Sequence, residues 1–234
     1  MKIGGLQKTS LLDYPDILSA IIWTAGCNFR CPFCYNKQLV LGKTEIISEE
    51  TILSFLEKRR DVLEGLSISG GEPLLQEDIV DFTEKVKKLN YLIKIDTNGA
   101  FPERLKELID KKLVDYVSMD VKAPKKKYDR LAGVKTDISK IEQSIDLIKN
   151  EAPDYEFKTT VVPGMLDKKD IVEIAKWLEG SKQFYLQQFK SDSPLISSKL
   201  NDVVPYSKEE LNEILQEINN FQNHAVLGVF DYCR

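Results

Sequence analysis

The sequence predicts an α/β fold in which a mostly parallel sheet is covered by helices, either as an open sheet or as a partial (β/α) barrel. Short apolar, β-branched runs alternate with amphipathic stretches along nearly the whole chain, the pattern of parallel strands joined by crossover helices. The connections between these runs are short. At 234 residues the chain can bury roughly 70–75% of its unfolded surface, so its core needs no disulfides.

Taken in order, strands are expected over 19–24, 65–69, 92–96, 115–120, 156–162 and 183–188. Helical periodicity falls between them, over 48–60, 76–89, 102–112, 137–150 and 168–179. A last helix over 207–221 precedes a strand over 225–230. Ser48 and Asp137 stand where N-caps belong, and Ser207 precedes Glu209 and Glu210, which suits the positive end of a helix dipole. The serine-bearing loop over 190–206 is the nearest thing to a linker. It divides the chain into an expected core, 1–205, and a C-terminal appendage, 206–234. In either architecture chemistry belongs at the C-terminal ends of the strands.

Composition removes several functions. The chain carries 33 basic and 37 acidic side chains, a net charge of −4, and has no general attraction for nucleic acid or anionic membrane. No run of about 18 apolar residues occurs, and the first residues lack a signal peptide's apolar stretch, so a cytoplasmic location is expected. The single histidine, His224, rules out a multi-histidine metal site. No Gly-x-Ser-x-Gly elbow accompanies it, so a serine triad is not indicated.

Three of the four cysteines sit together in Cys27-Asn28-Phe29-Arg30-Cys31-Pro32-Phe33-Cys34, just after the strand over 19–24. In a reducing compartment such a group reads as a metal site rather than a disulfide framework. Zinc would require a fourth ligand, with Cys233 and His224 the isolated candidates. An iron–sulfur cluster held by three thiolates would leave one iron open to a substrate or cofactor. Three unrelated buried thiols are the third reading. Further along, Gly70-Gly71-Glu72-Pro73, Asp96-Thr97-Asn98-Gly99 and Met119-Asp120-Val121-Lys122 each end a predicted strand. Each could be an ordinary turn or an exposed charged pair. Together with the cysteines they meet one predicted sheet edge.

These motifs resemble those of the radical S-adenosylmethionine enzymes, whose signature Cys-x-x-x-Cys-x-aromatic-Cys matches Cys27, Cys31, Phe33 and Cys34. The resemblance implies a partial (β/α)6 TIM-like barrel with a short C-terminal helix and strand. It implies a [4Fe–4S] cluster on Cys27, Cys31 and Cys34, with S-adenosylmethionine chelating the fourth iron. Gly70, Gly71 and Glu72 would hold the cofactor's amino group, and Phe33 and Tyr35 would flank its adenine. Asp96 and Lys122 would contact ribose and methionyl carboxylate, as in glycyl-radical-enzyme activases. Lys158 stands where many activases have arginine and lacks arginine's bidentate fork. Asp96 and Asp120, on adjacent strand ends, could also hold a cation. Because glycine lets a backbone approach a ligand closely, Gly71→Val is expected to spare the cluster and weaken cofactor binding.

The segment from Gly5 to Pro15 resembles the opening of anaerobic ribonucleoside-triphosphate reductase activating proteins. That likeness implies reductive cleavage of S-adenosylmethionine to a 5′-deoxyadenosyl radical, which takes a hydrogen atom from a glycine of a partner glycyl radical enzyme. A low-potential donor such as flavodoxin or ferredoxin would supply the electron. The alternatives are a radical enzyme acting on a small molecule and a non-catalytic zinc or iron–sulfur binding module. Four lysines between Lys122 and Lys127 read as a solvated face, or as a docking surface for an acidic partner or electron donor.

Overall fold

Among the residues described by the computed structural model, 1–191, 194–220 and 225–228, eight strands form one sheet in chain order. The first, β1 (Ile3–Ser10), runs antiparallel to β2 (Ser19–Thr24). From β2 onward every neighbour is parallel: β3 (Gly65–Gly70), β4 (Leu92–Thr97), β5 (Tyr116–Asp120), β6 (Tyr155–Val161), β7 (Phe184–Gln188) and β8 (Ala225–Gly228). No pairing joins β8 back to β1 among the described residues. The result is an open, partial barrel.

Helices α1 (Lys37–Val40), α2 (Glu49–Arg59), α3 (Ile79–Lys88), α4 (Pro102–Asp110), α5 (Tyr128–Ala132), α6 (Ile138–Glu151), α7 (Lys168–Trp177) and α8 (Lys208–Asn219) occupy the connections and the C-terminal segment. The expected caps are formed. Ser48 accepts from the Thr51 amide and Asp137 from the Ser139 amide, while Ser207 and Glu210 make a reciprocal capping box. None of these helices is long and apolar enough to cross a membrane.

All six strands expected between 19 and 188 are present as β2–β7, with edges moved by at most a residue or two. Three elements were not read from the sequence. Helices α1 and α5 are too short for periodicity to register. Strand β1 lacks an apolar run because Gly4 and Gly5 interrupt it; a Cβ on Gly5 would come within 2.9 Å of the Trp23 ring on β2. After β1 the chain plugs the lower end of the barrel, where Asp13 and Tyr14 are buried and Ser67 donates to the Asp13 carbonyl (3.2 Å). The expected last strand is present over 225–228; His224 and Cys233 lie outside the described residues.

The loop read as a linker does more than connect. The Ile196 amide donates to the Cys34 carbonyl and the Ser197 amide to the Pro32 carbonyl, both at 2.9 Å. Leu195 is buried beside them. The segment after β7 therefore clamps the cysteine loop from above, while α8 and β8 extend the same helix layer and sheet.

Candidate active site

The cysteine loop leaves β2 through Gly26, whose φ of +95° lies in the region open to glycine. The turn after β3 is zipped onto it. Gly71 donates to the Thr24 carbonyl and Glu72 to the Gly26 carbonyl, both at 2.9 Å. A Cβ on Gly70 would meet the Thr24 amide at 2.3 Å, and one on Gly71 the Gly26 oxygen at 1.9 Å. The glycine pair is thus required by the approach of two backbones, whatever ligand it also faces. Gln76 completes the anchor by donating to the Ala25 carbonyl (3.0 Å).

Cys27, Cys31 and Cys34 line one pocket. Burial, with the nearby Glu72 carboxylate, pushes the Cys27 thiol up to about 12. Burial raises Cys31 to about 11 against the pull of Lys122, and it raises Cys34 as well. Such thiols ionise only when a metal replaces the proton. Asn98 reaches the same loop: its side-chain amide donates to Asn28 Oδ1 (2.8 Å) and lies 3.9 Å from Cys27 Sγ. Phe33 is packed into the core, with Lys122 Nζ 6.0 Å from its ring centre, whereas Tyr35 is half-buried; both line the pocket.

Opposite the thiols stands a wall of buried charge. Glu72 accepts from the Asn98 amide (2.7 Å), Thr97 Oγ1 (2.8 Å) and the Leu74 amide (3.0 Å). Burial nevertheless pushes its carboxyl up to about 7. Lys94 Nζ and Lys158 Nζ both donate to Asp96 Oδ1, at 2.8 and 3.1 Å. Burial alone would raise the Asp96 carboxyl, but Lys158 and then Lys94 hold it well below the usual carboxylate range. Lys158 also lies 4.0 Å from Asp120 Oδ2, so its ammonium bridges the two carboxylates that could have faced a cation. Lys122 pairs with Asp120 at 3.3 Å; burial opposes its charge, yet Asp120 and the Cys31 and Cys34 sulfurs hold its ammonium above the ordinary lysine value.

The structure brings Cys27, Cys31, Cys34, Phe33, Tyr35, Gly70, Gly71, Glu72, Asp96, Lys122 and Lys158 to one pocket at the C-terminal ends of the strands. Its walls enclose about 1200 Å³, a figure that includes the open mouth. Among the described residues no three His, Cys, Asp or Glu side chains converge on a single metal ion. Two buried acceptors on pocket residues, Asp96 Oδ2 and Gln188 Oε1, have no hydrogen-bond partner among the described residues. A ligand carrying hydroxyl or amino donors fits these atoms, and three thiols with room beyond them fit an iron–sulfur cluster.

Sequence reasoning did not single out Lys94 or Gln188, and it named Asn98 only as part of the Asp96-Thr97-Asn98-Gly99 motif, with no role of its own. Lys94 was findable, since it stands two residues before Asp96 and so shares its face of β4. Gln188 carried no motif.

Residues 21–178 match the Radical SAM superfamily. A protein of Methanocaldococcus jannaschii, provisionally named a glycyl-radical enzyme activating enzyme, is 33% identical over 237 residues, 98% of each chain. The 7-carboxy-7-deazaguanine synthase of Clostridium acetobutylicum is 29% identical, over 80% of this chain and 82% of its own. In fold, the Streptococcus suis SuiB crystal structure bound to S-adenosylmethionine superposes with a TM-score of 0.70 at 15% identity, over 92% of this chain and 52% of SuiB. Members of the matching superfamily use a [4Fe–4S] cluster and S-adenosylmethionine. The match spans the strands and loops that carry the thiols, the glycine turn and the charged wall, and by it the chain belongs to the radical SAM superfamily.

Proposed function

We propose that this chain is an activating enzyme that installs a glycyl radical on a partner enzyme, and that the partner is the anaerobic ribonucleoside-triphosphate reductase. The observation that carries the reading is the meeting of three thiols, the Gly70-Gly71-Glu72 turn and the Asp96–Lys158–Asp120–Lys122 wall in one pocket. A relative of nearly identical length bearing an activating-enzyme name supports it.

In this reading Cys27, Cys31 and Cys34 hold the cluster. When bound, cluster and S-adenosylmethionine supply, after one-electron reduction, a 5′-deoxyadenosyl radical able to take a hydrogen atom from a glycine Cα. The chain's task is to bind and orient. Glu72, held by three donors, presents a carboxylate to the cofactor's amino group. Lys122 and Lys158 offer positive charge to its carboxylate. Asp96 Oδ2 and Gln188 Oε1 stand as acceptors for ribose hydroxyls, with Phe33 and Tyr35 beside the adenine. Residues 1–205 form the core for this chemistry and 206–234 an appendage. The setting is the cytoplasm, with flavodoxin or ferredoxin as the electron source.

The likeness to 7-carboxy-7-deazaguanine synthase favours one second reading, a radical enzyme acting on a small molecule. The deciding experiment is anaerobic. Protein reconstituted with iron and sulfide receives S-adenosylmethionine and dithionite, and 5′-deoxyadenosine is quantified alongside Cys31→Ala. Product lost in the variant is expected. A glycyl radical signal on added reductase then separates the two enzyme readings, and its absence with 5′-deoxyadenosine present would overturn the activase reading.

A further inference from the structure

The segment from Lys122 to Lys135 carries six basic residues and one acidic residue in a chain whose net charge is −4. The structure sorts these charges. Lys122 turns into the pocket wall. Lys125 pairs with Glu142 over the Trp177 ring, and Lys127 pairs with Asp170 at 2.6 Å. Lys126, Arg130 and Lys135 are exposed, with no acidic partner among the described residues. The acids nearest in sequence are engaged locally: Asp129 accepts from the Thr136 amide (2.7 Å) and Asp137 caps α6.

This segment is fastened to the back of the cysteine loop. The Arg30 amide donates to the Ala132 carbonyl at 2.8 Å. Gly133, at φ +70°, closes α5 so tightly against the loop that a Cβ there would meet the Arg30 oxygen at 2.1 Å. Arg30 is itself exposed; its guanidinium folds back onto the Cys27 and Phe29 carbonyls (2.6 and 2.7 Å). The next residue is Cys31. A basic surface therefore lies one residue from a thiol of the pocket, yet none of Arg30, Lys126, Arg130 or Lys135 lines the pocket.

We propose that Arg30, Lys126, Arg130 and Lys135 form the docking surface for an acidic one-electron carrier protein, which delivers its electron through the Arg30–Cys31 backbone. The inference rests on the cluster assignment above. The carrier is oxidised by one electron and the cluster reduced by one; no bond forms or breaks. A substrate glycine must enter the pocket mouth, whereas an electron needs only close approach to a ligand sulfur. The surface outside the pocket thus suits the carrier rather than the substrate protein. Acidic carriers would be steered by it, and steering of this kind changes association rates by ~10–10³-fold and fades with salt.

The test uses reconstituted full-length protein and flavodoxin hydroquinone as probe, with cluster bleaching followed by stopped flow. Lys126→Glu/Lys135→Glu is expected to slow reduction by flavodoxin about tenfold at low salt, the difference closing at high salt. Reduction by dithionite should be unchanged, and Lys58→Glu on α2 should leave both rates at the wild-type values. Equal flavodoxin rates in wild type and double variant at low salt would overturn the proposal, as would equal slowing with dithionite. Because cluster reduction needs no S-adenosylmethionine, absence of 5′-deoxyadenosine from wild type would sink the radical reading without touching this measurement.

Discussion

A Cβ on Gly71 would sit 1.9 Å from the carbonyl oxygen of Gly26, so the turn after β3 and the entry to the cysteine loop share one close backbone contact. Gly71→Val is therefore expected to push the cysteine loop away as well as to disturb the cofactor site. Overpacking of this kind costs ~1–3 kcal/mol and sometimes more. Urea unfolding of the apo-protein should show that loss, and reconstituted protein should carry less iron than wild type. Full iron content with weakened cofactor binding would return the glycine to a purely ligand-facing role.

Lys94 and Lys158 share a single oxygen of Asp96, and Lys94 is wholly buried. Lys94→Met is expected to destabilise the apo-protein by about 3 kcal/mol, because it leaves a buried carboxylate with one fewer counter-charge. A carboxyl held below its usual range stabilises the fold above its unfolded value, 3.8, and loses that contribution as pH falls through the folded value. Removing Lys94 raises the folded value. Acid unfolding of Lys94→Met should accordingly begin at higher pH than in wild type, and an unmoved acid midpoint would contradict the role given to this lysine.

Glu72 shows the opposite sign. Its carboxyl moves from 4.5 to about 7 on folding because burial outweighs three donors. A raised value gives stability that is complete below pH 4.5 and lost as pH rises through about 7. The loss is roughly 3 kcal/mol at ~1.4 kcal/mol per unit. Apo-protein should thus be less stable at pH 7.5 than at pH 5 by roughly 2 kcal/mol, since part of the loss already lies below pH 5. Glu72→Gln should flatten the slope while lowering stability at pH 5, since an amide cannot accept at both former carboxylate oxygens. A slope that survives in Glu72→Gln would place the titration elsewhere.

The parts of this site that were legible in the sequence are those written locally. Cys27, Cys31 and Cys34 lie within one loop, and Gly70-Gly71-Glu72 within one turn. Alternating strand and helix patterns were enough to bring both to one edge. Contacts made across the fold left no such mark. Gly71 needs its missing Cβ because of Gly26, 45 residues away. Lys94 shares its face of β4 with Asp96, but nothing local shows that Lys158, two strands away on β6, donates to the same oxygen. Strand β1 is recognisable only through Trp23 on its neighbour. The loop before α8 reads as a serine-rich linker, although Ile196 and Ser197 bind the backbone of the cysteine loop.

Asn98 joins the two halves of the pocket with one residue. Its backbone amide holds Glu72 Oε2, while its side-chain amide holds Asn28 and points a donor at Cys27 Sγ. Asn98→Ala keeps the first contact and removes the other two, along with the bond that Asn98 Oδ1 accepts from the Ala100 amide (3.0 Å). The lost hydrogen bond to Asn28 should cost the apo-protein about 1 kcal/mol. Donors to ligand sulfurs help set the potential of iron–sulfur clusters, because they stabilise the added negative charge of the reduced form. The variant's cluster should therefore assemble but reduce at a more negative potential, measured by a redox titration followed by electron paramagnetic resonance. Wild-type potential together with the stability loss would confine Asn98 to holding the loop. A lowered potential would make the same side chain a tuning element between the thiols and the carboxylate wall.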